Sequence, residues 1–346
     1  MRDAVADLRR IAFLLERSHA STYRVRAFRT AANVLAGRDD LDTLVRGNGL
    51  TSLKGVGKST AKCVRESVAG EEPAYLRELE SLSGAPDKES RISPLPELTG
   101  AAAELRAALR GDCHTHSDWS DGGSPIEEMA LTARDLGHEY LVLTDHSPRL
   151  TVANGLSAER LIRQLELVAE LNETLAPFRI LTGIEVDILD DGSLDQHEEL
   201  LAHLDLVVAS VHSKLRMPAA EMTERMLSAV ANPHVDVLGH CTGRMVVGDR
   251  KRPESEFDAE AVFAVCAEYG VAVEVNSRPE RLDPPRRLLR QAVEAGCRFS
   301  IDTDAHAPGQ LDWLPYGCAR AAECGVPPER VVNTLPRDEL LAWTAR

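Results

Sequence analysis

Residues 141–147, LVLTDHS, decide how the larger part of this chain is read. An apolar run ending in a polar turn forms a buried strand, which delivers an imidazole, His146, at its downstream end. The same arrangement recurs on both sides. LTGIEVD (181–187) carries Glu185, VVASVHS (207–213) carries His212, and VDVLGH (235–240) carries His240. HTHSDWSDG (114–122) supplies His114, His116 and Asp121, and DTDAH (302–306) supplies Asp304 and His306. Strands are expected near 111–117, 139–147, 179–188, 204–212, 234–241, 271–277 and 298–306, with helices such as 125–137, 157–175 and 257–269 between them. Strand–helix alternation implies a parallel sheet, here closed into a seven-stranded α/β barrel. Strand ends converging on one face are how such a barrel builds an active site.

Those nine imidazoles and carboxylates point to a multinuclear metal centre. A single strand-end histidine is more often structural, but six of the eleven histidines occupy six such positions. The others (19, 138, 197, 203 and 234) are assigned to surface or core roles. His114/His116 and Asp304/His306 are i, i+2 pairs, which on a strand share one face. Clustered buried polar groups need partners, and this donor set suits Zn, Mn or Fe(II) rather than Mg or Ca. Such ions supply hydroxide near neutral pH and clamp phosphoryl oxygens, which suits hydrolysis of a phosphate ester. Cations expected to hold the remaining phosphate oxygens are Lys214, Arg244, and Arg278 or Arg281; Arg244, in GHCTGR, is favoured. Glu185, Asp304 and Arg244 are the expected catalytic residues. Asn276 is expected to face the site, and Asp145 to orient a ligand or neighbouring backbone.

Length and composition set the outer limits. With 346 residues, two domains are expected. The chain is 43% apolar and 27% charged, ordinary values for a folded domain with a sizeable core. No apolar run spans a bilayer and the N-terminus lacks a signal-peptide pattern, so the expected location is cytoplasmic, associated with the nucleoid, with no membrane partner. The seven cysteines are odd in number and show no CxxC pairing, as expected of reduced thiols. Cys113 and Cys241 adjoin His114 and His240, and alternation on a strand turns both thiols toward the core. Net charge is −15, but residues 1–70 hold 13 Lys and Arg against 7 Asp and Glu, a net of +6. The remainder holds 27 against 48, a net of −21. A basic module is joined to an acidic one.

The basic module, residues 1–82, reads as helical. Gly55-Val56-Gly57 lies between two helical stretches, and glycines there permit a tight turn that aims backbone N–H groups and a helix start at a phosphate. Lys54, Lys58 and Lys62 flank it, and Arg24, Arg26 and Arg29 lie on the preceding stretch. Residues 83–110 form a Pro/Ser/Gly-rich linker and a short helix, and the barrel occupies 111–346.

Two resemblances follow from these motifs. HTHSDWSDG, TDHS, GIEVD, SVHSK, GHCTGR and DTDAH, in that order, resemble the polymerase-and-histidinol-phosphatase (PHP) family. That resemblance implies a distorted, TIM-like (β/α)7 barrel with three divalent ions, commonly Zn, Mn or Fe. It would place one ion on His114, His116, Glu185 and Asp304, a second on Glu185, His212 and His240, and a third on Asp121, His146 and His306. YRVRAFRTAANVL and LTSLKGVGKSTAKCVRES resemble the small helix–hairpin–helix domain of family X DNA polymerases, and YGCARAAECGVPPERVVNTL resembles the polymerase-linked PHP branch. Gly55, Gly57, Lys58, Lys62 and Arg24 are the residues this resemblance assigns to DNA. The 83–110 stretch is too short for a polymerase palm and holds no aspartate cluster, so DNA synthesis is not expected. The position of the family's lyase lysine is Cys63, which argues against Schiff-base lyase activity.

The expectation is a metal-dependent 3′–5′ exonuclease or 3′-end-processing enzyme of DNA repair, acting on gapped, nicked or 3′-ended DNA. The alternative is a phosphomonoesterase for a small phosphate ester such as histidinol phosphate, favoured by the acidic barrel. A non-enzymatic DNA-binding scaffold is the third reading, and the complete ligand set speaks against it.

Overall fold

The computed structural model describes residues 2–47, 49–82, 84–247 and 251–345. Position 83, where the linker is expected to begin, and the outermost positions 1 and 346 of the two expected domains lie outside them. The chain divides into two compact units, Met1–Leu95 and Pro96–Arg346.

The first unit is helical: α1 (Ala4–Arg17), α2 (Thr22–Leu35), α3 (Leu41–Arg46), α4 (Lys58–Val68) and α5 (Ala74–Ser81). Asp3 caps α1, its carboxylate accepting from the N–H groups of Val5 and Ala6. Leu8, Ile11 and Leu15 recur at helical spacing and are fully buried with Ala31, Leu35 and Val64. The 84–95 segment folds back onto this unit, Asp87 N–H donating to Ser18 O at 2.8 Å and Leu95 N–H to Gly84 O at 2.9 Å. The expected linker is therefore split. Its first half belongs to the helical unit, while its helix, α6 (Gly100–Ala108), packs on helix Leu314–Glu323 of the second unit.

The second unit is built on β1 (Gly111–Thr115), β2 (Tyr140–Leu143), β3 (Arg179–Asp187), β4 (Leu206–Ser210), β5 (Val237–Leu238), β6 (Ala272–Asn276) and β7 (Arg298–Asp302). All ladders are parallel and the strands lie in chain order. Alternating helices cover the outside, so the strands are buried on both faces and read as apolar runs. The result is the nearly closed seven-stranded barrel the motifs imply.

Closure is made by side chains. Between β1 and β7 the backbone contributes one isolated bridge, Thr115 to Ala305, with His116 N–H donating to Ala305 O at 2.8 Å. Elsewhere in this seam Asp302 Oδ1 accepts from Cys113 N–H at 2.8 Å, and Asp112 accepts from Thr303 N–H and, at 2.5 Å, from its hydroxyl. Asn333 bridges the same seam, donating to Gly111 O and Ile301 O and accepting from Ile301 N–H. Buried backbone groups that a ladder would have paired are thus satisfied by carboxylates and an amide.

Candidate metal centre

Most of the nine donors sit just beyond a strand's C-terminal end, on the face where barrels of this type place their chemistry. Glu185, inside β3, is the hub. Its Oε1 lies 3.2 Å from His212 Nε2 and 2.8 Å from His240 Nε2. Its Oε2 lies 3.3 Å from His114 Nε2, 2.8 Å from His146 Nδ1 and 3.6 Å from His116 Nε2. At the mouth, Asp121 Oδ1 approaches His146 Nε2 (3.5 Å) and His306 Nε2 (3.2 Å). Asp304 Oδ1 is 3.5 Å from His116 Nε2.

The donors form four overlapping groups: His116, Asp121, His146 and His306; His114, Glu185 and His240; His114, His116 and Asp304; His146, Glu185 and His212. These groups overlap the three sets the resemblance implied, His212 and His240 both reaching Glu185 Oε1, and proximity does not divide the donors among ions. His116 is shared with the mouth group, His146 turns its second nitrogen to Glu185, and His240 stands with His114.

A test of fit comes from the buried atoms themselves. Both oxygens of Glu185, both ring nitrogens of His116, His212 and His240, Nε2 of His114 and Nδ1 of His146 are buried without a hydrogen bond. Left alone, such groups are costly. Convergent imidazole nitrogens and carboxylate oxygens are the donors of Zn, Mn or Fe(II), so the residues fit divalent ions of that kind.

Charge within the cluster is uneven. Burial pushes the Glu185 carboxyl up, yet His114, His212, His146 and His240 hold it well below the usual range. Burial, aided by Arg281, lowers His240 to about 3, leaving it a neutral donor. His116 is lowered by burial and by His306 and His146. For His212, burial is outweighed by Glu185 and Asp187, which hold its pKa up at about 9.

The local backbone explains the aim of these side chains. Asp304 lies past the end of β7 with φ +53°, a left-handed conformation that few non-glycine residues adopt. The Asp304/His306 pair thus faces the site through a turn and not through strand alternation. Asp145 braces the backbone of the loop bearing Asp121. It is buried and accepts from Ser117 N–H (2.8 Å), the Ser117 and Ser120 hydroxyls and Gln164 Nε2 (2.7 Å). Asn276 faces the site, its Nδ2 3.2 Å from Asp304 Oδ2.

Sequence reasoning missed Glu274 and Asp187. Glu274 Oε1 lies 2.7 Å from His114 Nδ1, and Asp187 Oδ1 lies 3.4 Å from His212 Nδ1. A carboxylate inside the apolar run VAVEVN was the available signal for Glu274.

The expected phosphate cations are redistributed. Arg244 donates its Nε to Arg281 O at 3.1 Å and its Nη2 to Leu282 O, so its guanidinium braces the 278–283 loop, in place of the role expected of it. Arg281 on that loop puts its Nε 3.1 Å from Asp304 Oδ2. Arg278 puts its Nη1 3.5 Å from Asp304 Oδ1 and 3.1 Å from His306 Nδ1. Lys214 is exposed and paired with Asp190 at 2.6 Å.

In the helical unit the turn before α4 depends on Gly55. Gly55 has φ +99°, and a Cβ there would meet Thr30 Cγ2 at 2.7 Å. Gly57 precedes α4 in extended conformation and pairs with Thr60, its N–H donating to Oγ1 at 3.0 Å. Lys54, Lys58 and Lys62 are exposed, Lys62 within 3.8 Å of Glu66. Arg26 is also exposed. Arg24, expected on DNA, is engaged internally by Asp87 and the Tyr75 hydroxyl, and Arg29 is buried against Glu16 at 2.7 Å. Cys63 is buried and burial pushes its thiol up to about 11, so it offers no nucleophile.

Family models and known proteins match parts of this chain. A PHP-domain family model matches residues 112–278, and a helix–hairpin–helix domain model matches residues 2–72. The DNA polymerase/3′-5′ exonuclease PolX of Bacillus subtilis is 38% identical over 238 residues, 69% of this chain but 41% of that protein's length. A probable phosphatase of Acetivibrio thermocellus is 30% identical over 232 residues, 64% of this chain and 90% of the relative. Among solved structures, histidinol phosphate phosphatase from Lactococcus lactis, crystallised with zinc, L-histidinol and phosphate, is 18% identical with a TM-score of 0.46. It covers 63% of this chain and 94% of its own. No helix among the described residues is long and apolar enough to cross a membrane.

Proposed function

Since the chain belongs to the PHP-domain family of phosphoesterases, we propose that its barrel hydrolyses the 3′-terminal phosphodiester of DNA, as a metal-dependent 3′–5′ exonuclease or 3′-end-processing enzyme of repair. One observation carries this reading. The same chain joins a nine-donor site to a helix–hairpin–helix unit whose Lys54, Lys58 and Lys62 are exposed beside the Gly55–Gly57 turn. Phosphate contacts of that kind hold a duplex without reading its sequence, which suits a gap, a nick or a 3′ end as substrate. A metabolite phosphatase has no use for such a unit.

The barrel residues divide the work. His114, His116, His146, His212, His240 and His306, with Glu185, Asp121 and Asp304, would hold the divalent ions. When bound, such ions provide a hydroxide nucleophile near neutral pH and neutralise phosphate charge. Arg278 and Arg281 bring positive charge to the mouth, where non-reacting phosphate oxygens need donors. Arg244 holds the loop that carries both.

A second reading is supported by the probable phosphatases, which match over about nine-tenths of their length, and by the −21 balance of residues 71–346. It makes the barrel a phosphomonoesterase for a small ester. Side-by-side assay of the Mn²⁺-loaded chain on a 3′-recessed duplex and on histidinol phosphate separates the two. Stepwise shortening of the DNA supports the nuclease; phosphate release from the ester alone rejects it.

A further inference from the structure

Glu274 sits in β6 between Val273 and Val275, which belong to the outer hydrophobic core, while its own carboxylate is fully buried on the opposite side of the strand. It is not one of the nine donors, yet it touches the site at three points. Oε1 lies 2.7 Å from His114 Nδ1. Oε2 accepts the backbone N–H of His240 and, at 3.3 Å, the Nδ2 of Asn276. His114 comes from β1 and His240 from the turn after β5, so a single carboxylate ties together donors that are distant in sequence. Both turn Nε2 toward Glu185, at 3.3 and 2.8 Å. A carboxylate that accepts a hydrogen bond from the Nδ1–H of an imidazole fixes the ring plane and leaves the Nε2 lone pair directed at an ion.

We infer that Glu274 is the positioning residue of the His114–Glu185–His240 group, setting the orientation of His114 and the backbone at His240, and with them the affinity for the ion held there. The inference rests on the metal-centre reading. It differs from a general structural role, which would lower the stability of the fold without singling out one ion. Asn276 reaches both Glu274 and Asp304, at 3.3 and 3.2 Å, and stays in place to hold Asp304 when the Glu274 carboxylate is removed.

The experiment uses the full chain. Wild type, Glu274→Gln and Glu274→Ala are stripped with chelator and equilibrated with Mn²⁺ or Zn²⁺. Ions bound per chain are counted by equilibrium dialysis, with thermal unfolding recorded alongside. One class of ion should weaken about 10- to 100-fold in both variants while the remaining ions bind as in the wild type. Unchanged binding of every ion, or equal weakening of all of them, overturns the inference. If either variant fails to fold, Glu274→Asp, which withdraws the charge by one methylene, carries the same expectation. A second arm needs no ion. The metal-free wild type should show an exchange-protected Nδ1–H proton resonance for His114, absent from Glu274→Ala. Its absence from the wild type, or its survival in the variant, also overturns the inference. If the wild type takes up no ion at all, the metal-centre reading falls and this inference with it; uptake that the variants leave unchanged defeats this inference alone.

Discussion

Arg281 places its Nε 3.1 Å from Oδ2 of Asp304, and the loop that allows this is held from behind by the Arg244 guanidinium on the carbonyls of Arg281 and Leu282. Two arginines that look interchangeable in sequence therefore have different duties. One stands beside a carboxylate of the candidate metal site; the other is a brace.

Replacement of each should separate those duties. Arg281→Ala is expected to lower kcat/KM for phosphate-ester hydrolysis on the order of 100-fold, as for loss of a donor that meets developing charge. Its thermal unfolding should stay near that of the wild type. Arg244→Ala leaves carbonyls of the 278–283 loop without their donor, and should destabilise the fold by about 1–3 kcal/mol. Denaturant unfolding alongside steady-state kinetics reads both. Equal kinetic loss with no change in stability for Arg244→Ala would return it to the phosphate.

Removal of metal should silence hydrolysis of DNA and small ester together, and Mn²⁺ should restore both. Glu185→Gln and His240→Ala should not be rescued, because Glu185 faces five imidazoles and His240 contributes one of the two nearest nitrogens. Bound ion should also stabilise the fold, by about 2.7 kcal/mol at a free concentration one hundred times Kd. Residual activity in both variants would refute the assignment of this cluster.

The pH dependence has a definite sign. In the metal-free protein burial lowers His212, but Glu185 and Asp187 outweigh it and hold the pKa at about 9. Unfolded histidine titrates near 6.5. A folded pKa raised in this way contributes stability fully below about pH 6.5, and that contribution is lost as pH rises through about 9. Ion uptake must displace the same proton, so it becomes easier over the same window. The gap in Tm between Mn²⁺-saturated and stripped protein should therefore widen from pH 6.5 to 9. A constant or narrowing gap would contradict the assignment of His212.

On the helical unit, Lys58→Ala and Lys62→Ala should weaken DNA processing and reduce its salt slope by about one per lost phosphate contact. Hydrolysis of a small phosphomonoester should be untouched. Arg24→Ala should act differently, loosening the 84–95 segment by releasing Asp87 and Tyr75. Limited proteolysis of that segment, next to DNA titrations at two salt concentrations, distinguishes these effects.

The strands and their donors could be read from sequence because a strand buried on both faces is an apolar run, and a donor at its end breaks that run visibly. LVLTDHS and VDVLGH show this plainly. Roles set by contacts remote in sequence could not be read. Arg24 meets Asp87 63 positions away, and Arg244 meets Leu282 38 positions away; nothing beside either arginine announces its partner. Nor does residue spacing divide the donors among ions, since His116 and His146 turn on where their rings point after the strand has ended. The left-handed turn at Asp304 was hidden for a related reason, as alternation along β7 would have brought the same two side chains to one face.

The seam between β1 and β7 gives the metal centre a mechanical meaning. Asp112, Asp302 and Asn333 stitch the first strand to the last where a backbone ladder is missing. His114 and His116 stand on one side of that stitching and Asp304 on the other, yet the three form a single donor group. An ion shared among them would act as a rivet through the rim, completing the barrel's hoop by its cargo as well as by its chain. Unriveted, the barrel should begin to part at that line, and the amides of Cys113 and Thr303 should exchange with solvent ahead of those in the ladders from β2 through β6.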